Sequence, residues 1–339
     1  MIKEQVKSLW KLCFDDSEAF IELYFRLRYN NEVNLAIQSG EEVIAALQML
    51  PYPMTFCNKI VPTSYISGAC THPDYRAKGV MRELLSQSFA RMLRNGVLFS
   101  TLIPAEPWLF GYYAKTGYTP VFRISHKVFS LSELTIDREP DTMIEETTEY
   151  QEDYYQYLTG KLSERACCLQ HTPTDFKVVL ADLALTQNTV LIARKDNRVT
   201  GIAVVYKHDD SSYINELFAD NEAVRAQLLY RAGLRNGTER IILQLPPVES
   251  LPSVPLGMAR IIDARAVLQL YAAGCPEVEM NIELTDEQLS VNNGYYYLCK
   301  GKCMTSEVRL PGVHTRMTIA ELSEKILDEM QPYMSLMMN

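Results

Sequence analysis

The stretch Tyr65–Leu85, YISGACTHPDYRAKGVMRELL, decides the fold. Its first third is a β-like run ending at Thr71, its middle is turn-rich, and an amphipathic helix starts at about Gly79. A strand, a basic loop with a glycine and a helix amino terminus make a cradle for a diphosphate, because unpaired backbone N–H groups and the positive end of the helix face an anion. Arg76 and Lys78 add positive charge, and Gly79 allows close backbone approach. The same pattern also suits a solvated basic loop that caps a helix.

Outward from this stretch, Met81, Leu84, Leu85, Ser88 and Met92 recur at helical spacing and predict a helix over 79–95. Arg91 and Arg94 are assigned to its solvated face and His72 to loop structure. Gly96 closes the helix, and Val97–Ile103 reads as a buried strand. Upstream, residues 33–52 predict a hairpin turning at Ser39-Gly40-Glu41. Downstream, Trp108-Leu-Phe-Gly-Tyr-Tyr-Ala-Lys-Thr-Gly-Tyr-Thr-Pro reads as a short aromatic helix leading through Gly117 into a final strand.

At about 150 residues per domain, 339 residues predict two or three domains. A break is expected at Asp137–Glu146, which is charged and carries Pro140. Beyond it the α/β order recurs: helices near 148–164 and 174–185, strands at 190–194, 199–206 and 213–218, a helix over 223–236 and a strand at 241–245. Two related units in tandem follow from that recurrence. The prolines at 246, 247, 252 and 255 mark a second break, after which MARIIDARAVLQLY opens a small α+β region ending in a helix over 318–330.

The formal net charge of -9 repels phosphate polymers, so a nucleic-acid partner is not expected. No run approaches the ~20 apolar residues of a membrane span, and MIKEQVKSLWKLCF reads as an amphipathic helix, not a signal peptide. A cytoplasmic location is expected. The eight cysteines lack the paired spacing of a disulfide framework or zinc site, so reduced, mostly buried thiols and no metal are expected.

The order of two helices, a hairpin, a strand, an Arg-x-x-Gly loop, a helix, a strand and F/Y-Y-x-x-x-G-Y resembles the GNAT superfamily of acyl-CoA-dependent N-acyltransferases across about residues 1–130. The whole-chain layout is similar to the Eis (enhanced intracellular survival) acetyltransferases. That resemblance implies an α/β fold with two tandem GNAT-like mixed-sheet domains, a catalytic one at 1–135 and a degenerate one at 136–250. A small α+β domain similar to sterol carrier proteins follows at 251–339. General GNAT loops read R/Q-x-x-G-x-G/A, whereas this one reads Arg76-x-x-Gly79-Val80-Met81. The second unit's loop, from Leu217 through Asp220 and Glu222, has no glycine and would repel a diphosphate, so one cofactor site per chain is expected.

By the same resemblance the co-substrate is acetyl-CoA, held by the backbone of Ala69, Cys70 and Thr71 and by the loop Arg76, Ala77, Lys78, Gly79, Val80 and Met81. Cys70 itself reads as a packing thiol. Tyr113 matches the position whose phenol protonates the leaving thiolate, with Tyr112 and Tyr118 as competitors; a phenol near pKa 10 suits a thiolate whose conjugate acid lies near 8.5. The α-carboxylate of Asn339 is the implied base, anchored by Met337 and Met338. The expected activity is acetyl-CoA-dependent N-acetylation of a primary amine, with the net charge favouring a cationic small molecule or peptide, in a homo-oligomer that the resemblance places at up to a hexamer. An apolar-ligand carrier and a non-catalytic acyl-CoA-binding protein remain alternatives.

Overall fold

The computed structural model describes residues 2–134 and 141–337. The chain opens with α1 (Ile2–Cys13) and α2 (Glu18–Leu27), the latter capped by the Ser17 side chain accepting from the Phe20 N–H. The long antiparallel strands β1 (Asn34–Ser39), β2 (Glu42–Phe56) and β3 (Lys59–Thr71) follow. Next come α3 (Val80–Arg94), β4 (Phe99–Leu102), α4 (Pro107–Ala114) and β5 (Thr119–Ser130). The turn between β2 and β3 was not legible: Cys57 and Asn58 both take positive φ, +47° and +59°, without a glycine to signal it.

A second unit contains β6 (Met143–Thr147), α5 (Glu152–Ser163), the short β7 (Cys168–Leu169), α6 (Pro173–Leu185), β8 (Thr189–Lys195), β9 (Arg198–His208), β10 (Ser211–Ala219), α7 (Glu222–Asn236) and β11 (Arg240–Leu245). The break expected at 137–146 therefore ends in a strand. β6 is a charged, half-exposed edge held by Glu145 to Arg194 and by Glu146 to Arg231 and Arg235, which hides the period-2 signal. Last come β12 (Ser253–Ile261), α8 (Ala264–Gly274), β13 (Met280–Thr285), β14 (Gly294–Cys299), β15 (Lys302–Ser306), β16 (Thr315–Thr318) and α9 (Ile319–Asp328).

The result is a mixed α/β molecule with two sheets among the described residues. One is twelve-stranded, in the order β1-β2-β3-β4-β12-β5-β11-β10-β9-β8-β6 with β7 beside β2; the other runs β15-β14-β13-β16. Both units repeat one topology: a parallel pair, β3 with β4 and β10 with β11, follows antiparallel strands. β5 joins the two halves, pairing with β12 through its first part and with β11 through its second.

Residues 253–261, expected to begin a separate third region, instead lie between β4 and β5 and complete the first unit's sheet. The strand after Gly117 is therefore not the unit's last. Pro255 is tolerated because the pairing register shifts beside it, between Pro255 and Gly257. Among the described residues no helix is long and apolar enough to cross a membrane, and no His/Cys/Asp/Glu group is placed to hold a metal. All eight cysteines are free; Cys70, Cys167 and Cys168 are buried, and Cys299 is exposed.

One buried ion pair locks β12 in place. The Arg260 guanidinium donates to both Asp286 oxygens at 2.8 and 2.6 Å and to the Thr116 carbonyl at 2.6 Å, with neither charged side chain exposed. A Cβ on Gly117 would lie 2.1 Å from Arg260 Nη1, which explains that glycine. Asp286→Ala would strand a buried guanidinium and should cost about 3–5 kcal/mol in urea unfolding; a loss under about 1 kcal/mol would show that the pair holds nothing together.

Candidate functional site

β3 and β4 pair from Thr63 with Phe99 through Tyr65 with Thr101, and beyond that register they part. A bulge in β3 marks the opening. Ala46 faces Cys70 and Gln48 faces Ser67, so Leu47 alone opposes both Gly68 and Ala69. Gly68 takes φ +58°, and a Cβ there would sit 2.0 Å from the Trp10 ring; only glycine lets α1 pack this close to the bulge. A lone glycine inside a strand pattern is the sequence signal for such a bulge.

Ala69, Cys70 and Thr71 run from the bulge to the loop, so the structure brings them together with Arg76–Met81 at one end of the sheet. The His72 side chain accepts from the Asp74 N–H, fixing the first turn of the loop. Ala77 and Gly79 both take positive φ, +59° and +80°. Gly79 is the N-cap of α3 and supplies no side-chain cap, leaving the first-turn N–H groups of a 15-residue helix open to an anion. Val80 and Met81 turn inward and pack, half-buried, against the core beneath α3. The bulky Met81 thus leaves the loop's outer face clear. Lys78 lies over the Tyr75 ring at 5.3 Å, and Arg76 donates to the Thr71 carbonyl at 3.1 Å. Arg91, expected on a solvated face, instead donates to the carbonyls of Asn34 and Glu32 and pins the start of β1 to α3.

Tyr113 lies buried on α4 beside the same opening, its ring 5.4 Å from Tyr112 and 5.9 Å from Tyr118. The Tyr118 hydroxyl is spent on Ser100 at 2.6 Å, whereas the Tyr113 hydroxyl meets no hydrogen-bond partner among the described residues. Burial pushes the Tyr113 phenol above the ordinary tyrosine value, so it keeps its proton through neutral pH. Buried hydroxyls on both flanks, Thr71 Oγ1 and Thr101 Oγ1, likewise have no partner among the described residues. A strand with a bulge, an uncapped helix end and these orphaned groups suit an acyl-CoA. A cavity of about 600 Å³ opens next to His72 and is lined by Glu4, Glu41 and Glu42.

The second unit keeps the opening but not the cradle. β10 pairs with β11 only as far as Ile214 and bulges at Asn215, yet the Asn221 side chain accepts from the Val224 N–H and closes the start of α7. Asp220 is held by Tyr157 at 2.9 Å.

Asn339 and Met338 lie outside the described residues, so the structure does not place the expected base. The tail up to Met337 is packed. Tyr333 and Ser335 donate to the buried Glu216 carboxylate at 2.9 and 2.6 Å, and Met334 sits where a Cβ on Gly257 would meet it, beside the Leu102 carbonyl. The tail therefore lies between β10 of the second unit, bonded through Tyr333 and Ser335, and the end of β4 in the first, near Met334, a path no sequence pattern announced.

Residues 3–121 match the family model described as an acetyltransferase (GNAT) domain. No curated protein matches the chain. Among solved structures, a GCN5-related N-acetyltransferase from Anabaena variabilis superposes with a TM-score of 0.77 at 16% identity, covering 98% of this chain and 96% of that one. Another, from Kribbella flavida, gives 0.75 at 18% identity with 99% and 95% covered. Eis1 from Mycobacterium abscessus gives 0.71 at 13% identity with 96% and 87% covered. At these identities the likeness establishes the fold.

Burial raises the Glu216 pKa above the ordinary glutamate value, a rise that the Ser335 and Tyr333 bonds only partly offset. A raised folded-state pKa gives stability that is present at low pH and lost as pH climbs through it. Wild type should therefore gain on Glu216→Gln in thermal melts as pH falls from about 7 to about 5; a constant difference would show that Glu216 does not titrate there.

Proposed function

We propose that the GNAT domain carried by residues 3–121 binds acetyl-CoA in the opening beside β3 and transfers the acetyl group to a primary amine. The observation that carries this reading is the strand that parts from its parallel neighbour at a bulge and runs directly into an uncapped, glycine-led helix amino terminus. The loop Arg76–Met81 receives the diphosphate, with Arg76 and Lys78 supplying charge and the open N–H groups of α3 supplying hydrogen bonds. The N–H groups of Ala69, Cys70 and Thr71 hold the pantetheine arm and the thioester carbonyl, whose oxygen gains negative charge as the amine attacks.

Cys70 takes no covalent part. It is buried, and its hydrogen bond to Cys13 together with burial raises its pKa well above the ordinary thiol value. Tyr113 protonates the departing thiolate, since its hydroxyl is protonated and has no competing partner. The amine must attack as the neutral form, so a base is required. The acceptor is cationic as it approaches, a choice supported by the net charge of -9 and by the glutamate-lined cavity beside His72. The three-domain division at 135 and 250, with a sterol-carrier-like third part, is carried in the proposal with one amendment, the contribution of β12 to the first domain's sheet.

Two outcomes test the assignments. Tyr113→Phe should lower kcat by about a hundredfold or more with acetyl-CoA affinity within about twofold of wild type; an unchanged kcat in a thiol-release assay would remove Tyr113 as the acid. Gly79→Glu should abolish acetyl-CoA binding in a calorimetric titration of the folded protein, because it places a carboxylate at a position of φ +80° facing the diphosphate; retained binding would put the cofactor elsewhere.

A further inference from the structure

A cavity of about 790 Å³ lies where β2 and β3 meet the ends of α2 and α3 and the start of α6. It shares no lining residue with the opening or with the glutamate-lined cavity beside His72. A gap in the ladder along β2 makes room for it. The last bond to the β1 side runs from the Met49 N–H to the Val33 carbonyl, and the next on that edge runs from the Gln170 N–H to the Pro53 carbonyl, beside β7. The edge position between them falls on Pro51, and neither Pro51 nor Pro53 has an N–H to offer. Two prolines bar an added strand, so the space suits a small molecule and not an extended peptide.

Its walls are mostly apolar, and Leu27 and Ile60 among them stay exposed. Three charged side chains line it: Arg28, Asp175 and Glu32. The Arg28 guanidinium is already engaged, donating to Asp175 Oδ1 at 2.5 Å and to the Tyr52 hydroxyl at 2.7 Å, with both charged side chains buried. Glu32 is exposed and forms no ion pair among the described residues. Arg91, close by, is turned to the backbone carbonyls of Glu32 and Asn34 and does not line the cavity. The carboxyl ends of α2 and α3 also meet the cavity, at Arg28 and Asn95, and that polarity favours a cation. One uncharged group is left over on the wall. Ser64 is 3% exposed, and its hydroxyl has no hydrogen-bond partner among the described residues.

We propose that this cavity binds an arylalkylammonium ion. The flat ring packs against the rigid faces of Pro51 and Pro62 and against Leu27, the ammonium pairs with Glu32, and a donor on the ring meets the Ser64 hydroxyl. A carboxylate of the same shape would face Glu32 and two negative helix ends with no free guanidinium to receive it. The site goes beyond acetyl transfer: it is a separate place for an organic cation, and it stands whether or not the opening beside β3 carries out that reaction.

The test is an NMR titration of the full-length protein, labelled at its methionine methyl groups, with tryptamine in the absence of acetyl-CoA. Met49 and Met92 line the cavity, Met81 belongs to the loop of the opening, and Met304 lies exposed on β15. The expected result is saturable shifts at Met49 and Met92 and none at Met81 or Met304. Indole-3-propionate, which carries a carboxylate on the same ring and chain length, should bind at least about tenfold more weakly. Glu32→Gln should weaken tryptamine by about two- to fivefold, the size of an exposed ion pair, and Ser64→Leu should abolish the shifts by filling the cavity. Equal binding of indole-3-propionate, shifts at Met81 without Met49 and Met92, no saturable shift in the folded wild type, or unchanged binding by folded Ser64→Leu overturns the proposal. If Ser64→Leu does not fold, the wild-type titration and Glu32→Gln decide. Acetyl-CoA takes no part in the readout, so failure here and failure of the acetyltransferase reading are distinguishable.

Discussion

The contact between Trp10 and the backbone of Gly68 is the constraint from which the candidate site follows. The indole occupies the space a Cβ would need, its Nε1 is fixed by Asp16 at 2.7 Å, and the glycine beneath it takes a left-handed conformation. A left-handed residue in a strand inserts one extra residue into the ladder and bends it. β3 therefore leaves β4 after Tyr65, and the N–H groups that would have completed a parallel ladder are left facing an opening. Any side chain at residue 68 would lift α1 from the sheet, and Cys13, at the end of that helix, would move with it.

The second unit repeats the opening of the first but not the loop that follows it. Both units have the parallel pair that parts and the bulge just beyond it. In the first, the following helix begins at Gly79 with nothing capping it; in the second, Asn221 caps the helix and Asp220 sits one residue earlier. A single N-cap side chain satisfies one of the donors that a phosphate would otherwise take, and a neighbouring carboxylate repels it. The second unit's strand β10 instead serves the tail, through the Glu216 carboxylate and the hydroxyls of Tyr333 and Ser335. β12 and the tail thus both return late sequence to the first unit, one inside its sheet and one beside the end of β4.

Local chemistry made much of this legible. The hairpin at Gly40, the helix over α3, the basic loop and the aromatic helix carrying Tyr113 each follow from spacing and turn residues within a short window. What escaped were pairings set by tertiary context. Pro255 argues against a strand, yet β12 accommodates it at a register shift. The Cys57-Asn58 turn has no glycine, and β6 is an edge whose alternation is masked by charge. Arg91 lies on a polar helix face by periodicity, but two carbonyls at the start of β1 claim it.

Amide hydrogen exchange of the full-length protein with and without acetyl-CoA tests the central claim most directly, because it reads both openings at once. The account predicts slowed exchange in residues 68–71 and 76–83 and none in 215–225, since only the first opening leads to an uncapped helix. Protection at the second opening, or at neither in a folded protein, would contradict it.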